Sequence, residues 1–234
     1  MRKIFLLLLL SPLISMASNS DLREMESFIK LNITGPIEVE YEPGDTYSVH
    51  LQAKDEYDLE NIVTKVEKNE LKINVSKGKT EGMDLLITVT APELKEIRSA
   101  TGAKLICHEM IEIDHVELRV FAGGEIWVKY AAKSIEATVN QGGHITIFGN
   151  TEMLVASVNT GGTIAATHCV AQTVEARLKA GGDIFTQPVR KLDAKVTAGG
   201  TIHYYGDPEE EKTKTTLGGS IEAVKKVPEF REDF

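Results

Sequence analysis

Apolar and polar residues alternate along much of the chain, and glycine pairs interrupt the alternation at regular intervals. Ahead of the first pair, Val116, Leu118 and Val120 are separated by Glu117 and Arg119. Period-2 alternation of this kind is typical of a β-strand with one buried face. The same pattern precedes each of the next four pairs. The chain is therefore predicted to contain a series of similar strands.

Six Gly-Gly pairs recur every 18 to 20 residues, and each is followed by one polar residue and then by isoleucine. An imperfect earlier copy reads Gly102-Ala103-Lys104-Leu105. A corner between strands needs backbone with positive φ, which glycine adopts without steric cost. A phosphate-binding glycine loop occurs once and opens a helix, so it fits six copies poorly. The predicted structural corners are Gly123, Gly124, Gly142, Gly143, Gly161, Gly162, Gly181, Gly182, Gly199, Gly200, Gly218 and Gly219.

A unit of about 19 residues cannot bury its own apolar face, but stacked copies of it can. A small residue holds the same place in four consecutive units, which predicts an interior column of Ala137, Ala156, Ala176 and Ala194. Asn140 and Asn159 precede adjacent glycine pairs and predict an amide ladder at the corner. A propeller blade needs about 40–45 residues, so it does not fit this period. The predicted fold is all-β, a single-stranded right-handed parallel β-helix with a less regular, strand-rich N-terminal part.

The composition along the chain divides it into five segments. Arg2 and Lys3 precede an apolar run that is too short to span a bilayer as a helix, and small residues lead up to Ala17. This arrangement predicts a secretory signal peptide cleaved after Ala17. The predicted segments are the signal peptide at 1–17, a leader at 18–27, early coils or a cap at 28–98, regular coils at 99–226 and a tail at 227–234. A separate β-sandwich is the alternative for residues 28–98.

Two cysteines, Cys107 and Cys169, fall in coils three layers apart. At about 4.8 Å per layer they are separated by roughly 14 Å along the stack. A disulfide requires Cα atoms within about 7 Å. The repeat therefore predicts two free thiols, mostly buried.

The chain carries a net charge of −9, with 42% hydrophobic and 26% charged residues, which is ordinary for a globular protein. The acidic balance argues against nucleic-acid binding, which calls for a basic patch. Outward strand positions form an acidic row and a basic row side by side, predicted to be a solvated face with ion pairs worth about 0–1 kcal/mol each. The two rows are Glu117, Glu136, Glu175 and Asp193, and Arg119, Arg177 and Lys195. The histidines occupy different offsets in the repeat and lack zinc-ligand spacing, so no metal or other cofactor is predicted.

An aromatic surface is the candidate binding site. Trp127 and Phe185 occupy the outward position after the isoleucine, and His203 follows one coil later, with Thr146 and Ala165 between the two aromatics. Such a platform is predicted to stack on sugar rings. The alternative is that the rings pack against the N-terminal segment or a neighbouring subunit.

These features resemble the bacterial putative auto-transporter adhesin head GIN domain family. The resemblance rests on the signal peptide, the strand-rich first segment, the Gly-Gly-x-Ile strands, and Ala91-Pro92-Glu93-Leu94-Lys95-Glu96-Ile97 leading into Gly102. It covers roughly residues 25–225. It implies a right-handed β-helix similar in shape to pectin lyases, no recognised catalytic set and a role in cell adhesion. It brings no site residues with it.

The sequence thus favours an exported, non-enzymatic β-helix protein with an adhesion or scaffold role in the periplasm, at the cell surface or outside the cell. Its expected partner is a cell-surface glycan or protein, with no nucleic acid and no transmembrane span, and the oligomeric state stays open. One alternative is a carbohydrate-binding protein that uses a flat β-helix face. The other is an enzyme similar to polysaccharide lyases or hydrolases.

Overall fold

A computed structural model describes residues 19–53, 59–76 and 85–227. The predicted signal peptide and nearly all of the predicted tail lie outside the described residues. Within them the chain forms strands and one 3₁₀ helix, Leu59–Asn61. The strands are β1 Asn19–Glu24, β2 Lys30–Thr34, β3 Glu38–Pro43, β4 Ser48–Ala53, β5 Ile62–Glu67, β6 Glu70–Val75, β7 Leu85–Ala91, β8 Glu96–Ala100, β9 Lys104–Phe121, β10 Glu125–Asn140, β11 His144–Thr160, β12 Thr163–Ala180, β13 Asp183–Ala198, β14 Thr201–Tyr205, β15 Glu210–Thr215 and β16 Ser220–Val224.

The strands build a parallel β-solenoid of about seven turns, which confirms the predicted fold. β9 to β13 are each 16 to 18 residues long and lie parallel to the strand of the preceding coil. Each long strand bends along its length, so that it supplies one segment after a glycine corner and another before the next corner. Across the described ranges, no helix has the length and apolar character needed to cross a membrane.

Two columns of side chains fill the interior. The isoleucines that follow the glycine pairs are register partners from Ile126 to Ile202, and each is at most 1% exposed. The predicted alanine column is confirmed, because Ala137, Ala156, Ala176 and Ala194 are paired in consecutive coils and buried. Burial of each large aliphatic side chain contributes about 1.5–3 kcal/mol.

The two glycines of a corner have different surroundings. Gly142 has φ +78°, and a Cβ atom placed on it would meet nothing within 4 Å. A Cβ atom on Gly143 would lie 2.6 Å from the carbonyl oxygen of Gly124 in the coil below. That same oxygen accepts a hydrogen bond from the backbone N–H of His144 at 3.0 Å. Both glycines have the positive φ of the turn, and the second also lets adjacent coils approach closely.

Polar side chains and thiols follow the same register. The Asn159 Nδ2 group donates a hydrogen bond to Asn140 Oδ1 at 2.5 Å, which confirms the predicted amide ladder. Cys107 and Cys169 are free and buried, in agreement with the burial that the repeat predicts. Burial raises the pKa of the Cys107 thiol to about 11 and that of Cys169 to about 12.

The N-terminal part stacks out of sequence order. β2 lies between β6 and β8, and β3 lies between β7 and β9, with all four pairings parallel. Counted from the N-terminal end of the stack, the coil made by β2 and β3 is therefore the second layer, and it lies next to the coil of β8 and β9. β6 and β7 form the end layer. The antiparallel strands β5, β4 and β1 extend this end of the sheet.

A buried carboxylate joins this out-of-order coil to the regular stack. The Glu96 side chain is 9% exposed and lies 2.7 Å from Lys30 Nζ on β2. It also contacts Arg98 at 2.5 Å and Arg119 on β9 at 3.2 Å. One carboxylate thus connects cations from three neighbouring strands.

Candidate functional site

The charged rows predicted on the outward strand face are paired with each other. Glu117 forms an ion pair with Arg119. Arg177 lies 3.6 Å from Glu175 and 2.8 Å from Asp193 in the next coil. Among the residues that the structure describes, no three His, Cys, Asp or Glu side chains are placed to hold a metal ion. Glu117, Glu175 and Asp193 on this face therefore take part in ion pairs with arginines.

The three predicted stacking residues share one column. Trp127, Thr146, Ala165, Phe185 and His203 are register partners in five consecutive coils. The structure therefore places these residues in one column, with Thr146 and Ala165 between Trp127 and Phe185. The three rings differ in burial, because Trp127 is buried and Phe185 and His203 are half-buried.

Trp127 is only 8% exposed. Its ring centroid lies 5.5 Å from that of His108 and 4.8 Å from that of Phe148. The Lys129 ammonium lies 5.0 Å from the same centroid, within the range of a cation–π interaction. These neighbours cover the indole, so Trp127 supports the surface from beneath.

Phe185 and His203 are half-buried and stack on each other, with centroids 4.7 Å apart and ring planes 7° from parallel. Phe148 and His168 form a second stacked pair, at 5.9 Å and 4°. Because partners lie on adjacent coils, the ring faces point along the solenoid and the edges point outward. We call the whole row of rings the aromatic stripe: His108, Trp127, Phe148, His168, Phe185 and His203.

Sequence reasoning missed His108, Phe148 and His168. Phe148 lies three residues after Ile145, and His168 lies four residues after Ile164, the isoleucines that follow the two glycine pairs. Spacing alone therefore assigns the two rings to different positions in the repeat. A register shift between Thr146 and Phe148 brings the two rings onto adjacent positions. The 20-residue distance between Gly161 and Gly181 is the signal that an extra residue must be absorbed in this coil.

A second feature is a groove of about 860 Å³ that runs across β9 to β12 where these strands turn between faces. We call it the corner groove. One row of its lining consists of Asp114, Lys133, Glu152 and Gln172, and the other of Glu112, Ala131, Asn150 and Val170. The residues of the second row are register partners in consecutive coils. Glu93 and Lys95 close one end.

The first row of the groove lining is polar, the second row also contains Ala131 and Val170, and the floor consists of buried residues that include Ile113. Lys133 Nζ lies 2.7 Å from Asp114, and this hydrogen bond raises the pKa of Lys133. The floor contains Ala132 and Thr151, which are buried. Thr151 donates its hydroxyl hydrogen to the Met153 carbonyl at 3.1 Å. Sequence reasoning missed the groove because most of its lining lies at the bends inside β9 to β12, between the alternating segments on which the strand prediction rests.

Comparison with protein families identifies the chain. The model of the family described as "Putative auto-transporter adhesin, head GIN domain" matches residues 27–208. The chain belongs to this family. The match confirms the resemblance drawn from the glycine pairs, and it places the chain among adhesin-like proteins. No curated protein matches the chain.

Solved structures of similar fold include proteins from Bacteroides and Parabacteroides species. A putative adhesin from Bacteroides fragilis NCTC 9343 has TM-score 0.77 and 19% identity, covering 90% of this GIN-domain chain and 98% of its own. A putative adhesin from Parabacteroides merdae ATCC 43184 has TM-score 0.70 and 17% identity, with 89% and 96% covered. A putative lipid binding protein from Parabacteroides distasonis ATCC 8503 has TM-score 0.68 and 20% identity, with 89% and 97% covered. At these identities the likeness concerns the fold.

Proposed function

We propose that this GIN-domain protein is exported and attaches to a molecule at a cell surface without catalysing a reaction. The observation that carries the proposal is the lateral surface of the solenoid, which extends over about seven coils held in register. On the strand face of this surface, Glu117 pairs with Arg119, and Glu175 and Asp193 pair with Arg177. Membership of an adhesin family supports the same role.

Attachment can be measured with beads that carry the purified chain. Beads coated with residues 18–234 are expected to adhere to bacterial or host cells more than beads coated with an unrelated β-solenoid. Equal adherence would contradict the proposal. Incubation with acidic polysaccharides, with and without Ca²⁺, is expected to yield no shortened or unsaturated products. Turnover would instead favour the enzyme alternative.

Export has its own test. Expression of the full chain in a Gram-negative host is expected to give a product that begins at Ser18, since cleavage is predicted after Ala17. N-terminal sequencing of the periplasmic and extracellular fractions measures this. An uncleaved chain confined to the cytoplasm would contradict export.

Carbohydrate binding by the aromatic stripe is the second candidate. It is favoured by Phe185 and His203, two half-buried rings that lie side by side on adjacent coils. Aromatic rings supply the apolar contact that a sugar ring needs. The double variant F185A/H203A is expected to lose glycan binding, and T138A on the other strand face is the control. Unchanged glycan binding in the double variant would remove this candidate.

A further inference from the structure

We propose that the corner groove binds an extended, non-acidic glycan chain. This inference rests on the proposed attachment function and names a ligand class and a site for it. The groove, about 860 Å³ in volume, is distinct from the aromatic stripe, because it lies at the turn between strand faces. Its shape, its hydrogen-bonding groups and its charge each bear on the ligand.

The shape of the groove favours a polymer. It crosses β9, β10, β11 and β12, and three steps of about 4.8 Å give a length of about 14 Å. Glu93 and Lys95 extend it by one more layer at the N-terminal end. A site of this length, open at the side, suits a chain that lies along the solenoid axis.

The lining offers at least one polar group in each coil. Asp114, Lys133 and Glu152 project from consecutive coils, and Gln172 continues the row. Carboxylates accept hydrogen bonds, ammonium groups donate them, and amides do both. Hydroxyl groups on successive sugars would meet a partner in each layer, while Ala131 and Ala132 leave apolar surface for the face of a sugar ring.

The charge of the lining argues against acidic glycans. Four carboxylates, Glu93, Glu112, Asp114 and Glu152, face two ammonium groups, Lys95 and Lys133. Lys95 is 3.7 Å from Glu93, and Lys133 is 2.7 Å from Asp114, so both cations already have carboxylate partners. Uronic acid or sulfate groups would meet like charges, which lowers affinity. Neutral sugars and amino sugars would not.

A glycan fits the groove better than an extended peptide does. Peptides that bind as added strands need a free sheet edge for their backbone hydrogen bonds. β10 and β11 both line the groove, and they pair with each other in register from Glu125↔His144 to Val139↔Val158. The groove therefore presents side chains where a peptide backbone would need unpaired main-chain groups.

The test uses the folded chain and hexamers of glucose, mannose, glucosamine and galacturonic acid in calorimetric titrations. At least one of the three non-acidic hexamers is expected to bind, and the galacturonic acid hexamer is expected to bind at least tenfold more weakly. Ala131→Trp fills the groove from a half-buried outward position and is expected to weaken binding at least tenfold. Ser157→Trp, half-buried and outward on the charged strand face, is the matched control and is expected to bind like the natural chain.

Four results would overturn the inference. They are failure of all three non-acidic hexamers to bind, preference for the galacturonic acid hexamer, full binding by A131W, and tighter binding of a lysine-rich peptide at the same site. Circular dichroism checks that both tryptophan variants are folded. Polar variants that do not fill space, E152Q and N150A, are expected to weaken binding, with E136Q on the charged face as their control.

The bead assay separates this inference from the function on which it rests. Beads that adhere to cells while no hexamer binds would overturn the groove as a glycan site and leave attachment standing. Beads that fail to adhere would overturn the attachment proposal, whatever the hexamers do. Loss of both hexamer binding and adherence in A131W would tie the two together.

Discussion

The carbonyl oxygen of Gly124 occupies the space that a Cβ atom on Gly143 would need. The two would lie 2.6 Å apart, and Gly143 also has φ +104°. G143A is therefore expected to combine backbone strain with a clash against a neighbouring coil, lowering the free energy of unfolding by about 2–5 kcal/mol. Urea unfolding followed by circular dichroism measures the loss.

G142A is the matched control. Gly142 has φ +78° but open space around its missing Cβ atom. Backbone strain alone is expected to lower the free energy of unfolding by about 1–2 kcal/mol. Equal losses in the two variants would show that coil spacing does not depend on the second glycine.

The alanine column limits side-chain size inside the stack. Ala156 is fully buried, with Ala137 and Ala176 as its register partners in the coils on either side. A156L is expected to overpack this layer and to lower the free energy of unfolding by about 1–3 kcal/mol. A165L, at a half-buried outward position, is the control and should change stability little. Thermal melts of both variants distinguish an interior column from a surface one.

The regular coils were predictable because each position has the same neighbours one layer up. Ile126, for example, is buried against Ile145, so its burial follows from the repeat alone. The aromatic stripe was predictable only in part. Phe185 and His203 hold the same offset, whereas Phe148 and His168 meet across a register shift that an alternating pattern does not reveal.

The N-terminal stacking order could not be read from the sequence. β2 pairs with both β6 and β8, although β6 lies 36 residues beyond the end of β2. Alternation shows that Leu31 and Ile33 face a core, but it says nothing about which strands lie beside them. The corner groove stayed hidden for a related reason, because its lining comes from positions between strand segments.

Glu96 is expected to stabilise the junction between the first coils. Its side chain lies among Lys30, Arg98 and Arg119 and is 9% exposed. E96Q removes the charge that these cations face and is expected to lower the free energy of unfolding by about 1–3 kcal/mol. E67Q is the control, because Glu67 pairs with exposed lysines and its loss should matter little. Urea unfolding at pH 7 compares the two variants.

The same carboxylate predicts a pH dependence. Burial works to raise the pKa of Glu96, but hydrogen bonds from Lys30 and Arg98 outweigh burial and hold that pKa below its ordinary value. The contribution to stability is therefore complete above the ordinary glutamate pKa and is lost as the pH falls through the lowered one. The stability difference between the natural chain and E96Q should shrink on acidification. A difference that stays constant from pH 7 to pH 3 would count against this assignment.

The two thiols are expected to be inert in the folded chain. Burial raises the pKa of both Cys107 and Cys169, which keeps them protonated at neutral pH. Because the thiolate is the reactive form, a disulfide-exchange reagent should label neither cysteine at pH 7.5 until denaturant is added, and both afterwards. Mass spectrometry without reductant checks the redox state. A mass two hydrogens lower would indicate a bridge and contradict the coil register.

The out-of-order coil predicts that the two ends of the solenoid tolerate truncation differently. β2 and β3 are parallel partners on both sides, to β6 and β8 and to β7 and β9. Removing residues 19–43 takes the layer of β2 and β3 from inside the stack. Among the described strands, β6 and β7 then lose the strands with which they pair in parallel. This variant is expected to lose cooperative unfolding or to associate through the exposed strand edges.

Removing residues 206–234 is the control, because it takes strands only from the outer end of the stack. Every residue of β15 is exposed, and in a solenoid each coil depends mainly on its neighbours. This variant is expected to keep the oligomeric state of the natural chain and to melt in one cooperative step at a lower temperature. Size-exclusion chromatography and thermal melts compare the two. If the variant without residues 19–43 keeps the oligomeric state of the natural chain and melts cooperatively, β6 and β7 can dock directly beneath β8 and β9, and the inserted layer is dispensable.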